Sequence, residues 1–439
     1  MTNSQRLTAV ARGMRFGLSL AAAVALGSCD SVLEVTDPDI ILEANSASGA
    51  LALKNGVVLR FSQATSGGEA YVFEGLLTDE WISGDTFEQR NSTDQRSIAV
   101  TNSFLAGDYR TLNRIRNQGA EAVRALRQYA PSPVSNVGLM FALTAFAENQ
   151  MGERYCNGLI FSETEGPEIR FGSPVPYDSA FRRAINNSDS ALANAGGATT
   201  DVANLARLVK GRALLNRAKF AEAAQAVAAI PTSFGYRNFH SPNVGSNQIW
   251  ALNNSARRYV VSNGEGGTGL NFRTAADPRL PTTTSPPKAF DSSTDFVGQL
   301  IWGQFDAVTV GTGIEARLIE AEAALQAGTV TTFLAKLNEA RATRTGLPAL
   351  SDPGSTAARV DLLFRERAFW LFSTGHRLGD LRRLIRQYGR QQNQVFPTGA
   401  HFKGPNYGTD VNFPVSFEEL NNPNSGGNQV TSTCTDRNA

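Results

Sequence analysis

At 439 residues, with 41% hydrophobic and 18% charged side chains, the chain has the composition of a folded globular protein rather than a disordered or membrane-embedded one. Its 41 Lys+Arg against 40 Asp+Glu leave a formal charge of +1, which offers no basic face for nucleic acid. The length allows one elaborated domain or two.

The first residues differ in kind from the rest. Arg6, Arg12 and Arg15 are the only charges before Asp30, and an apolar run over 16–26, too short to span a bilayer, ends in Leu26-Gly27-Ser28-Cys29. That order is a secretory signal peptide over 1–28, and a Cys directly after small residues resembles a lipobox with Cys29 as the lipidated first residue. Removing three Arg leaves 38 basic against 40 acidic side chains, a mature charge of −2. This is too mild for electrostatic membrane attachment, so the lipid does the anchoring. Residues 29–46 read as a polar tether. Cys156 and Cys434 then either pair in an oxidising compartment or stay as separate thiols.

Residues 47–62 place Ala50, Leu53, Val57 and Phe61 at helical spacing. The stretch 71–81 carries Leu76, Leu77 and Thr78-Asp79-Glu80-Trp81, and ends at Ser83-Gly84-Asp85. A helix is expected over 109–128, stopped by Pro131 and Pro133, and another over 137–151 with Ala142, Ala145 and Ala147 allowing a close neighbour. Then come 181–192, 202–216 with Asp201 as N-cap, and 220–229 closed by Pro231. Later, 314–327 and 330–343 flank Gly328, and 356–390 reads as an amphipathic helix, a turn at Gly375 and a basic helix. The expectation is a mainly α fold with about four tetratricopeptide-like helical hairpins, over 109–151, 177–229, 314–343 and 356–387. These belong to one domain over 47–439. Within it, 232–312 is an irregular, aromatic-containing insertion carrying loops and short elements, placed on the ligand side.

Motifs near the end of the chain carry a resemblance. Arg365-Glu366-Arg367, Gly375-His376-Arg377 and Asp380-Leu381-Arg382-Arg383 resemble the C-terminal signature of the RagB/SusD family of nutrient-binding outer-membrane lipoproteins. Asp277-Pro278-Arg279, Phe413-Pro414-Val415 and Asn421-Asn422-Pro423-Asn424 look like further landmarks of that family, in the same order. Ser373-Thr374 stand where the family often has Phe-Glu. The resemblance covers nearly the whole mature chain. It implies a non-enzymatic, cofactor-free lipoprotein, anchored at the cell outer membrane and surface-exposed. Such a protein caps a SusC-like TonB-dependent transporter and captures oligosaccharides or other nutrients for it.

Catalytic material is thin. The three histidines are His240, His376 and His401, and there is no nucleophile elbow, phosphate-binding loop or His-Glu-x-x-His site. His376 and Asp380 share a helix face at i,i+4 spacing but lack a third metal ligand, so with Glu366 and Arg377 they read as a structural ion-paired network and no metal is expected. A sugar site wants flat aromatic platforms beside amides and charges. Trp250 with Asn253, Arg257 and Tyr259 offers that set, and Trp81 with Asp79 offers a second. Two other readings stay open: a helical-repeat scaffold whose groove binds a protein, and a glycoside hydrolase using two of Asp79, Glu80 and Asp85.

Overall fold

The structure, a computed structural model, describes residues 45–165, 168–198, 200–283, 287–426 and 432–439. The signal peptide, Cys29 and the tether up to residue 44 lie outside the described residues. Among the described residues no helix is long and apolar enough to cross a membrane.

Helix α1 (Ala47–Gln63) starts at Ser46, whose hydroxyl accepts from the Gly49 amide, and buries Ala50, Leu53, Val57 and Phe61. The stretch after it divides, giving a short α2 (Ala70–Leu76), strand β1 (Trp81–Ser83) and α3 (Glu88–Asp94). Helix α4 (Ser103–Tyr129) begins earlier than its apolar spacing suggested, because Asn102 caps the Phe104 amide. Helix α5 (Ser135–Arg154) is buried along nearly its whole length and touches α1, α4 and later helices on several sides. This explains its Ala-rich sequence: small side chains let backbones approach. At Gly152 an added Cβ would lie 2.6 Å from the Phe181 ring.

A hairpin, β2 (Glu163–Glu165) and β3 (Glu168–Arg170), follows. Over 177–229 the three expected helices form: α6 (Asp178–Ala193), α7 (Asp201–Asn216) and α8 (Phe220–Val227). Thr200 rather than Asp201 caps α7, its hydroxyl accepting from the Ala203 amide at 3.2 Å.

The insertion opens with β4 (Gly235–Asn238), continues through a short α9 (Gln248–Trp250) that runs into a π-helical turn, and then β5 (Tyr259–Val261). It closes with β6 (Val308–Thr312). β4 and β6 pair antiparallel from Gly235↔Thr312 to Asn238↔Val308, so the insertion leaves and re-enters the helical frame at one neck. β5 pairs antiparallel with β1, aligning Trp81 with Val261 and Ser83 with Tyr259, which fastens the insertion to the N-terminal part.

The remaining helices are α10 (Gly313–Gln326), α11 (Val330–Arg341), α12 (Thr356–Trp370), α13 (Arg377–Arg386) and the single turn α14 (Gln392–Val395). Leu318, Phe333, Leu337, Leu363 and Phe364 join α10, α11 and α12 in one apolar cluster. Leu208, Leu215, Val227 and Ile319 join α7, α8 and α10 in another. Burial of each such side chain stabilises by about 1.5–3 kcal/mol. The architecture is therefore mainly α, built of stacked helical hairpins with a few short strand pairs. Cys156 and Cys434 are bonded to each other, with their Cα atoms 5.7 Å apart, and the tail is held further by the Thr435 amide on the Asn157 carbonyl.

Candidate functional site

The charged signature near the C-terminus forms a buried lattice between elements rather than one cluster. Arg279 donates to both oxygens of Asp277 and to Glu366, which also accepts from Arg341 at 2.7 Å. The Asp277-Pro278-Arg279 motif thereby clamps the insertion to α12. Asp380 binds Arg367 at 2.7 Å and Arg383 at 2.8 Å, and Arg377 donates to Asp79 at 2.8 Å. His376 faces Glu315 of α10 at 3.2 Å and Thr374 at 3.0 Å, not Asp380. Burial would raise the Glu315 carboxyl, yet Arg212 and His376 outweigh it and hold the group well below the carboxylate range. Asp380 is held low in the same way by Arg367 and Arg383. Among the described residues no group of three or more potential ligands is placed to hold a metal ion.

Several residues expected at a ligand surface lie inside. Trp81 and Tyr259 are both 0% exposed. The Trp81 indole donates to Ser373 Oγ at 3.0 Å and packs on Phe372, while the Tyr259 hydroxyl is taken by Glu69 and Arg90. Asp79 is consumed by Arg377 and the Leu270 amide. None of these three presents a face to a ligand, because the polar neighbours read as a sugar-facing rim are instead paired internally. The same holds for the acids of the hydrolase reading: Asp85 is clamped by Arg90 and Arg258, and Glu80 accepts from the Ser373 amide at 2.9 Å. Of the first set, Arg257 is exposed and Trp250 partly buried.

Asn253 is buried but acts at a surface through a loop. Its amide donates to the Tyr259 and Val297 carbonyls and accepts from the Gln299 amide. Asn254 binds Gln299 at both ends, and the Gln299 side chain in turn accepts from the Ile301 and Trp302 amides at 2.7 and 2.9 Å. This rigid back wall presents Leu300, which is 56% exposed, with Ile301 and Trp302.

Opposite that loop stands the end of α12. Trp302, Leu300, Arg279, Phe369, Trp370 and Arg344 line a cleft of about 240 Å³ between the insertion and the helical frame. Phe369 forms the floor, Arg279 lies over both Phe369 and Trp370 at 5.2 Å, and Trp302 and Trp370 are partly exposed walls. The Trp370 indole N–H is buried and has no hydrogen-bond partner among the described residues. Arg344 is exposed and donates to the Pro278 carbonyl at 2.6 Å. Aromatic faces beside guanidinium and hydroxyl groups suit a ring with an apolar face and a hydroxyl rim. Trp302 was visible in the sequence only as one of many insertion aromatics. Its signal was the apolar Leu300-Ile301-Trp302 run inside a polar segment.

The architecture, helical hairpins fastened to an irregular insertion, is shared with a group of solved proteins. The chain has the SusD-superfamily fold. A SusD superfamily protein from Parabacteroides distasonis matches it with a TM-score of 0.64 at 13% identity, over 86% of this chain and 98% of that one. A SusD-like protein from Bacteroides fragilis matches with a TM-score of 0.62 at 13% identity, over 86% and 95%. A SusD-like carbohydrate binding protein from Bacteroides vulgatus matches with a TM-score of 0.57 at 14% identity, over 82% and 86%. No family model and no curated sequence matches the chain.

Proposed function

We propose that this chain is a RagB/SusD-type lipoprotein that binds oligosaccharide in the cleft between Trp302 and Trp370 and passes it to a SusC-like TonB-dependent transporter. In this reading Cys29 carries the lipid, the chain is displayed at the outer membrane, and it performs no chemistry of its own. The observation that carries it is two partly exposed indoles lining one cleft where the insertion meets the frame, in a fold shared with a carbohydrate binding protein. Asn253 and Tyr259 support the site from behind, and Trp250 and Arg257 lie on the same insertion. The buried carboxyls Asp79, Glu80 and Asp85 leave the hydrolase reading without an accessible pair.

The test is glycan-array screening of the detergent-solubilised chain, followed by calorimetry on the best ligand. Trp302→Ala and Trp370→Ala should each weaken binding by about 30-fold, the scale of a buried aromatic anchor. Trp250→Ala separates the cleft from the surface expected from sequence. Loss in that variant, with none in the other two, would move the site away from the cleft.

A further inference from the structure

The helical frame carries a second cleft, made of different residues. A cavity of about 390 Å³ lies where α4, α5 and α6 meet the β2–β3 hairpin, within the size range of small-molecule sites. Arg116 and Arg124 of α4, Arg170 of β3 and Arg183 of α6 line it, against Glu148 of α5 and Glu163 of β2. Arg170 has an interaction of its own, which leaves Arg116, Arg124 and Arg183 facing Glu148 and Glu163.

Both acids are weak counterweights. Glu148 is buried, accepts from Asn187 at 2.7 Å and lies 3.5 Å from Arg116 Nε; burial pushes its carboxyl up toward the neutral form despite that neighbour. Glu163 reaches Arg183 only at 3.4 Å, long for a charge-assisted hydrogen bond. Arg124 is exposed, and its charge acts on Glu121 of the same helix, opposing the rise that burial gives that carboxyl. Arg116 is only 5% exposed, lies over the Phe161 ring at 4.6 Å, donates to Asn113 Oδ1 at 2.8 Å and turns its Nε toward Glu148.

We propose that this cleft binds the carboxylate of an acidic sugar, a uronic acid within a short saccharide. The planar carboxylate matches the forked donors of Arg124 and Arg183, with the buried Arg116 adding positive charge behind them, and Asn117 and Thr164 meet the sugar hydroxyls. That the ligand is a sugar rests on the carbohydrate-binding reading above; that it is anionic rests on this cleft alone.

The experiment is calorimetry of the full chain in detergent with digalacturonic acid and with its methyl ester, at low and high salt. The acid should bind, the ester should bind at least about tenfold more weakly, and added salt should lower the affinity for the acid. Arg124→Gln and Arg183→Gln should each cost about tenfold for the acid while leaving the melting temperature and neutral-glycan binding unchanged. Equal binding of acid and ester, no binding of the acid, or wild-type affinity in both Arg variants would overturn the proposal. Acid binding that persists when no neutral glycan binds at the Trp302 cleft would overturn the earlier reading and leave this one standing.

Discussion

Individual residues show how far a side chain's sequence neighbours mislead about its surroundings. Asp79, Glu80 and Trp81 sit together as an acidic, aromatic stretch, the composition of a solvated or sugar-facing loop. In the structure all three are buried, because Arg377, Ser373 and Phe372 arrive from nearly three hundred residues away. Nothing local in sequence announces partners at that separation. Ser373 and Thr374, the departure from the family signature, are used rather than idle, and a carboxyl does reach their turn, from Glu80. Burial raises that carboxyl well above its ordinary value, with the Ser373 amide as the main opposing influence. Glu80 therefore keeps its proton in the folded state at pH values where the unfolded chain has lost it, above about 4.3. The stability this confers is present below that pH and is lost as pH rises toward the folded value. Glu80→Gln, which is neutral throughout, should gain in melting temperature relative to wild type between pH 5 and pH 8. A difference that stays flat across that range would mean Glu80 is ionised in the fold.

At the scale of elements, the long helices were legible because burial on one face imposes a 3.6-residue rhythm that survives without knowledge of neighbours. Boundaries were less so, since caps such as Asn102 and Thr200 decide them. The three-residue strands β1 and β5 had no legible rhythm; each exists only because the other lies beside it. Of the proposed cleft, the sequence marked only the insertion as a recognition segment; which of its rings faces outward depends on Asn253 and Gln299 folding one loop. The turn between α12 and α13 was legible, and it is demanding. Gly375 adopts φ +74°, and an added Cβ would lie 2.6 Å from the Tyr71 ring. Gly375→Ala should cost about 1–3 kcal/mol in denaturant titration, with the loss concentrated in the packing of α13. A neutral effect would mean that the turn relaxes without displacing Tyr71.

On the scale of the whole molecule, the frame and the insertion are tied at the β4–β6 neck, at the β1–β5 pair and at the Arg279–Glu366 clamp. Rigid fastening of this kind lets the Trp302 loop keep its position opposite α12 without a ligand. The Cys156–Cys434 bond adds a covalent tie between the tail and the end of α5. Cys434→Ser should lower stability by about 2–5 kcal/mol, measured by denaturation under non-reducing conditions, and should speed amide exchange in the last residues.

That bond spans 278 positions of sequence, so it encloses most of the folded chain in one loop. A protease that cuts once anywhere between the two cysteines opens the loop but frees no fragment. Damage to an exposed segment such as the one around Leu300 would pass unseen on a non-reducing gel, and the two pieces would part only after reduction and unfolding together.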